Sequence, residues 1–513
     1  MARYKNYCYE QGKMIPVSFR EQILPGTFEY TLSYLIDHEL DLSVFDERYC
    51  NDETGRPAYA PALLLKIVLY AYARGIVSSR QIERCCRENV IFMALSADTQ
   101  PHFTTIADFI SRMEGEIVAL FRNVLMICDA QGLIGREMFA IDGCKMPSNA
   151  SKEWSGTKAE LTAKKLKLER AIRRMLKAHR ERDSREINAE VVEQEQQYIA
   201  TLKRQVKKLK EWLDDHDDKP GKSGKPRKSN VTDNESAKMK TSHGVIQGYD
   251  GVAAVDERHQ VVVHAEAFGE AQEHDLLQPM LKATEAHFAA LGDGAVYGKA
   301  KVTADSGFHT ERNVEYLYAN GIDGYLADNR MRQRDPRFQD VEKYKARSRE
   351  EKRQREGRAG RFTNKDFRYD PVKGTCICPA GKSLYSNGSN VFFNDYAAVK
   401  FRAPKSACRD CELRSRCLKF PDRTPTRQVA FFSGKTRKPE TFTQVMKRKI
   451  DSALGRSVYN RRLGAVEPVF GNLSNIGLNR FTLRGRKKVD AQWKLYCIVH
   501  NLLKIHRYGA EYG

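Results

Sequence analysis

Phe139-Ala140-Ile141-Asp142-Gly143 is a short β-prone apolar run that closes on a carboxylate and a glycine. A strand there leaves Asp142 at its exposed end, within reach of a metal ion. An Asp that merely opens a turn is the alternative. Lys301-Val302-Thr303-Ala304-Asp305-Ser306-Gly307 repeats the same device far along the chain.

The stretches around these two runs supply the rest of a sheet. Val245-Ile246-Gln247-Gly248-Tyr249 and Val252-Ala253-Ala254-Val255 read as one bent second strand. After a polar turn at Asp256-Glu257-Arg258-His259, Val261 to Ala265 reads as the third. A helix over Asp275–Leu291, the Lys301 strand, a helix over Thr310–Ala319 and a strand over Gly324–Ala327 follow. Three strands, helix, strand, helix, strand is the order of an α/β ribonuclease-H-like mixed sheet. In that sheet the ends of the first and fourth strands are neighbours, so Asp142 and Asp305 are expected side by side.

The chain carries 87 basic and 66 acidic residues, a net charge of +21, and a pI near 9.4. That excess points to a polyanionic partner, either nucleic acid or an anionic membrane surface. No apolar run is long enough to span a bilayer; Leu63 to Ala73 is broken by Lys66. The N-terminal residues lack the apolar core of a signal peptide. A cytoplasmic location is expected, with the 12 cysteines reduced or metal-bound.

At 513 residues several domains are expected. Residues 1–130 read as a helical N-terminal domain. Gly55-Arg56-Pro57 is a turn. Pro61 to Tyr72 is a buried helix with Pro in its first turn. Ser78-Ser79 caps a helix over Arg80–Arg87, and a third helix begins at Thr104-Thr105. Short helices carrying Arg80, Arg84, Arg87 and Arg112 fit a helix-turn-helix-like DNA-binding module, and equally a trihelical packing with no DNA role. Residues 131–327 read as the first part of the sheet domain. Within 151–230 lies an insertion in which Leu161, Leu168, Ile172 and Met175 form one seam. Ile199, Leu202, Val206, Leu209 and Leu213 form another. Two antiparallel helices result, joined at the polar Arg182–Glu186 segment. The insertion ends in a basic linker, Pro220–Lys228, and residues 151–229 hold 22 basic and 14 acidic residues.

Residues 328–430 read as a basic, Cys-rich insertion. Its first part, 328–373, has 16 basic and 9 acidic residues and reads as a DNA-facing segment around Gly357–Arg361, or as a solvated loop. Then come Cys376-Ile377-Cys378 and Cys408-x2-Cys411-x5-Cys417. These spacings suit tetrahedral zinc, with Cys378, Cys408, Cys411 and Cys417 as ligands and Cys376 spare. Reduced buried thiols are the alternative.

Residues 431–513 complete the sheet domain. Between 456 and 513 there are 11 basic and 3 acidic residues. The segment Tyr459-Asn460-Arg461-Arg462-Leu463-Gly464-Ala465-Val466-Glu467-Pro468-Val469-Phe470-Gly471 holds one carboxylate among arginines, and reads as helical after Pro468. A surface salt bridge, or a metal ligand where nucleic acid binds, accounts for it. Val489–Ile505 is a helix burying Trp493, Leu495, Ile498, Val499, Leu502 and Leu503.

Several motifs in order now resemble one family. They are Tyr59-Ala60-Pro61 through Glu88-Asn89, Phe139 to Gly143, Asn230-Val231-Thr232-Asp233 and Ala304-Asp305-Ser306-Gly307-Phe308. Cys378-Pro379-Ala380-Gly381-Lys382, Val466 to Gly471, Arg480-Phe481-Thr482-Leu483-Arg484-Gly485 and His500-Asn501-Leu502-Leu503-Lys504 continue the series. The chain resembles the DDE transposases of bacterial insertion sequences, in the branch with a Tyr-Arg-Glu-Lys signature. The resemblance implies an acidic triad of Asp142, Asp305 and Glu467 holding Mg²⁺ or Mn²⁺. It implies DNA contacts from Tyr459, Arg461, Arg462, Arg480, Arg484 and Arg112. Four residues rather than three separate Arg462 from Glu467. Ser474 stands where the signature has lysine. The helical insertion differs from the β-rich one of the best-known relatives.

The activity so implied is hydrolysis at the transposon end and transfer of the freed 3′-hydroxyl to target DNA. The partners implied are the terminal repeats and target DNA, and joining two ends makes a homodimer on DNA the expected assembly. Two other readings remain: a ribonuclease-H-like nuclease that cuts without joining, and an inactive transposase-derived DNA-binding protein.

Overall fold

The computed structural model describes residues 17–509 except 49–56, 183–188, 222–223, 225, 243, 339–350, 352–353, 355–359, 389–390, 394–395 and 436–439. The Gly55-Arg56 turn, the polar joint of the hairpin, part of the Pro220–Lys228 linker and most of the basic Gly357–Arg361 stretch therefore lie outside the described residues. The chain divides into two compact units, residues 1–328 with 452–513, and residues 329–451.

In the first unit the helices are α1 (Phe28–Tyr34), α2 (Pro61–Ala73), α3 (Ser79–Glu88), α4 (Val90–Leu95), α5 (Phe103–Ser111) and α6 (Glu116–Ala130). As expected, α2 has Pro at its start and is buried along most of its length. Ser78 stands at the N-cap of α3, but its side chain makes no cap hydrogen bond. The third expected helix, α5, is capped by the His102 ring, which accepts from the Thr104 amide. Ile106, Phe109 and Ile110 are its buried face.

The sheet comprises β1 (Met138–Pro147), β2 (Ala237–Thr241), β3 (Gly244–Asp256), β4 (Val262–Phe268), β5 (Lys301–Ala304) and β6 (Asp323–Leu326). Its order is β2-β3-β1-β5-β6, with β4 also on β3. β1 runs antiparallel to β3 and parallel to β5, and β5 runs parallel to β6. This is the ribonuclease-H-like arrangement. The bent strand is continuous, and β2 is an addition that the sequence did not announce. The helices α9 (Leu277–Ala290) and α10 (Glu311–Ala319) alternate with the strands, as α/β crossovers must. Before them, α7 (Lys158–Arg182) and α8 (Ala189–Asp215) form the hairpin. Leu161 packs with Leu209 and Leu213 at one end, and Ile172 with Ile199 and Leu202 at the other, so the two helices are antiparallel.

Two C-terminal helices complete the unit, α11 (Ala453–Asn475) and α12 (Arg486–Tyr508). The sequence suggested that the helix near Glu467 begins at Pro468. Instead Pro468 lies inside α11, which starts at a Ser452 cap. A proline there cannot donate to Gly464, whose carbonyl accepts from Gln260 Nε2 at 3.2 Å instead. α12 is buried almost throughout. Trp493 is fully buried and its indole N–H donates to the Val252 carbonyl at 3.0 Å, while Leu503 is only half-buried. The Asn501 side chain serves both the N–H and the C=O of Val262, at 2.8 and 2.9 Å, tying α12 to β4. On its other side Tyr496 packs against Tyr72 of α2, ring centroids 4.8 Å apart.

The second unit carries β7 (Arg368–Asp370), β8 (Thr375–Ile377), β9 (Ser383–Ser386), β10 (Val391–Phe393), β11 (Tyr396–Arg402) and β12 (Gln428–Lys435). They form an antiparallel sheet in the order β10-β11-β9-β8-β7, with β12 also on β11. Phe367, Cys376, Leu384, Phe401, Ala403 and Val429 form its apolar core.

Candidate active site

β1 pairs with β5 through Ile141 opposite Ala304, the last residue pair of that ladder. Asp142 and Asp305 follow directly and stand side by side. The sequence placed Asp142 at a strand end; β1 in fact continues to Pro147, and what ends there is its partner β5. Burial is the main force raising both carboxyls above the ordinary Asp range. The Arg462 guanidinium opposes it at Asp142, while the Glu273 carboxylate reinforces it at Asp305.

Arg462, on α11, is 7% exposed and donates through Nη1 to Asp142 Oδ2 at 2.7 Å. Its guanidinium lies 5.6 Å from the centroid of the Tyr459 ring one turn earlier. Its Nε is buried without a partner among the described residues. Arg461, expected to face DNA, pairs with Glu257.

Glu467 is exposed on α11. Five residues beyond Arg462, it points about 140° round the helix, at 100° per residue. Val466 occupies the position that three intervening residues would have given an acid, and it is fully buried. The extra residue between Arg462 and Glu467 thus accounts for the direction of the carboxylate.

Three groups that the sequence did not single out crowd the same place. Asp250 of β3 is fully buried, and neither carboxylate oxygen has a hydrogen-bond donor among the described residues. Burial first, and then the Glu273 charge, push its carboxyl up to about 8. Gly143 makes room for it, since a Cβ there would lie 2.8 Å from Asp250 Oδ1. Glu273, just ahead of α9, pairs with Lys145 at 2.8 Å. A Cβ on Gly307 would lie 2.0 Å from Glu273 Oε2 and 2.9 Å from Asp305 Oδ1, so these two carboxylates face one small space. The legible signal was Asp250, a charge inside an otherwise apolar strand. Glu273 lies in a polar run without a motif.

Four carboxyls therefore share the site with Lys145 and Arg462. This all-oxygen donor set suits a hard divalent cation. Among the described residues no three His, Cys, Asp or Glu side chains are posed as a ready ligand group.

The basic residues divide by their partners. Arg84 and Arg87 pair within α3 with Glu88 and Glu83, Arg112 at the end of α5 pairs with Asp108, and Arg80 stacks on Phe103 at 4.6 Å. Arg480 and Arg484 are exposed; Arg484 Nε donates to the Asn149 carbonyl at 2.7 Å. Arg486, Lys487 and Lys488 follow in the first turn of α12, with no acidic residue there. Cations at a helix N-terminus oppose its dipole. Asp233 and Glu235 accept from the Gly485 and Arg486 amides and hold that end in place. Tyr249 donates to the same Asp233 carboxylate, which gives the Asn230–Asp233 motif its structural role.

The fold is that of a ribonuclease-H-like core. Residues 377–506 match the family described as transposase DDE domain, and residues 17–112 match the transposase domain DUF772. Matches to two transposase domains in one chain support its resemblance to the DDE transposases of insertion sequences. The first match includes Glu467 and the Cys378–Cys417 cysteines, and it begins after Asp142 and Asp305. No curated protein matches the chain. Among the described residues no helix is long and apolar enough to cross a membrane.

Proposed function

We propose that this transposase binds the terminal DNA of its own element, hydrolyses a phosphodiester there and transfers the freed 3′-hydroxyl to target DNA. The observation that carries this reading is the juxtaposition of Asp142 and Asp305 beside Arg462. Asp142 and Asp305 would hold Mg²⁺ or Mn²⁺, with Glu467 as the third acid on the strength of the family resemblance. Bound there, the cation supplies an activated water and offsets charge on the reacting oxygens. Arg462 orients a DNA phosphate, using the Nε that has no partner among the described residues, and Tyr459 fixes the plane of its guanidinium. Arg480, Arg484, Arg486, Lys487 and Lys488 grip the flanking backbone, where a polyanion offsets the dipole penalty at α12. Residues 1–130 contribute to end binding, and two chains act together because two ends are joined.

The exposed pose of Glu467 favours one second reading, a DNA-binding protein that does not cleave. Incubation with labelled terminal DNA and Mg²⁺ separates the readings. Nicked ends and joined products support the transposition chemistry, nicks alone support a nuclease, and binding without either supports the second reading.

A further inference from the structure

The unit 329–451 rests on a small apolar core, and small cores commonly need a covalent or metal staple. Four thiols gather at its edge. Cys378, Cys408, Cys411 and Cys417 line a single cavity of about 30 Å³, the space of one water or ion. They come from three separate pieces of chain. Cys378 follows β8 and opens a turn in which its N–H donates to the Lys382 carbonyl at 2.9 Å and its C=O accepts from Gly381 at 2.8 Å. Cys408 lies in the short helix Lys405–Arg409. The Cys411 carbonyl accepts from the Arg414 amide at 2.9 Å, and Cys417 ends the helix Arg414–Cys417.

Two guanidiniums fix this backbone. Arg414 donates to the carbonyls of Cys408, Pro421 and Thr424. Arg427 donates to those of Cys417 and Phe362, at 3.1 and 3.2 Å. Cys376 takes no part in the cavity, for it is fully buried in the apolar core. None of the described cysteines is in a disulfide. As posed, the thiols are not gathered at bonding distance around one point. All four line the one cavity, and Cys408, Cys378 and Cys411 lie close enough to Cys417 to add, after burial, to the rise of its thiol pKa.

We propose that Cys378, Cys408, Cys411 and Cys417 bind one structural zinc ion. Binding releases the four thiol protons and leaves a site of net charge −2, which the guanidiniums of Arg414 and Arg427 offset. Four thiolates close the coordination sphere, so the ion fastens the fold of this unit and takes no part in chemistry. The proposal does not rest on the transposase reading.

The test is elemental analysis of the full chain purified from zinc-supplemented cells without chelator. One zinc per chain is expected, lost in Cys408→Ser and Cys417→Ser and kept in Cys85→Ser, whose thiol lies in α3. Should the serine variants fail to fold, the wild-type chain still decides. Titrating its thiols with a mercurial should release zinc in step with four of them, and stripping the metal should lower the melting temperature. A chain purified free of zinc that gains no stability from added zinc overturns the proposal, as does zinc retained in both variants.

Discussion

Asp142 and Asp305 meet because Ile141 and Ala304 are the last register partners of the parallel pair β1 and β5. A one-residue slip in that register would turn one carboxylate to the other face of the sheet. The pairing of two distant stretches is thus fixed by the same hydrophobic pattern that buries Phe139, Ile141, Val302 and Ala304.

Glu467 separates stability from chemistry. It is exposed, and Glu467→Gln is expected to change unfolding free energy by no more than about 0.5 kcal/mol. The same variant is expected to lose cleavage of terminal DNA while still binding it. Full cleavage by Glu467→Gln removes Glu467 from the acid set, and Glu273, already beside Asp305, becomes the residue to test.

Gly307→Ala inserts a methyl where the Glu273 and Asp305 carboxylates converge. We expect cleavage to fall roughly tenfold or more, with end binding unchanged in a mobility-shift assay. Unchanged cleavage would mean that the facing of these two carboxylates has no bearing on the reaction.

Asn501→Ala leaves the buried N–H and C=O of Val262 without partners. A loss of about 2–3 kcal/mol is expected in urea unfolding. A loss below about 0.5 kcal/mol would show that the α12–β4 bridge contributes little to stability.

Acid stability should depend on His500. Its Nδ1 faces the Asn472 amide and its Nε2 the Gln260 carbonyl, at 2.9 and 2.8 Å, which suits the neutral ring protonated on Nε2. Burial pushes its pKa down to about 4. The unfolded ring titrates near 6.5, so between these values only the unfolded chain takes up the proton. The contribution is complete above about pH 6.5 and is lost as pH falls toward 4. Denaturant unfolding across that range should show a shallower pH slope for His500→Gln; an identical slope would exclude this origin.

The sheet was legible because strand alternation and short apolar runs report burial directly. The Asp142 and Asp305 stretches shared one pattern, and the hairpin seams repeated at helical spacing. Other features depended on tertiary contacts that no local pattern encodes. Glu273 joins the site through Lys145 and the space at Gly307. Pro468 sits inside α11 because the Gly464 carbonyl finds Gln260, from the turn between β3 and β4. The direction of Glu467 was half-visible, since one surplus residue after Arg462 rotates the next acid off the face that Arg462 shares with Asp142.

The most direct measurement is cleavage of the element's own labelled terminal DNA, with and without Mg²⁺, by the wild-type chain and by Asp142→Asn and Asp305→Asn. Mg²⁺-dependent nicking and joined products are expected from the wild type. Either substitution should lower them by roughly a thousandfold or more, with end binding retained. Cleavage that survives in both variants, or that needs no divalent metal, would contradict the assignment of these two carboxylates.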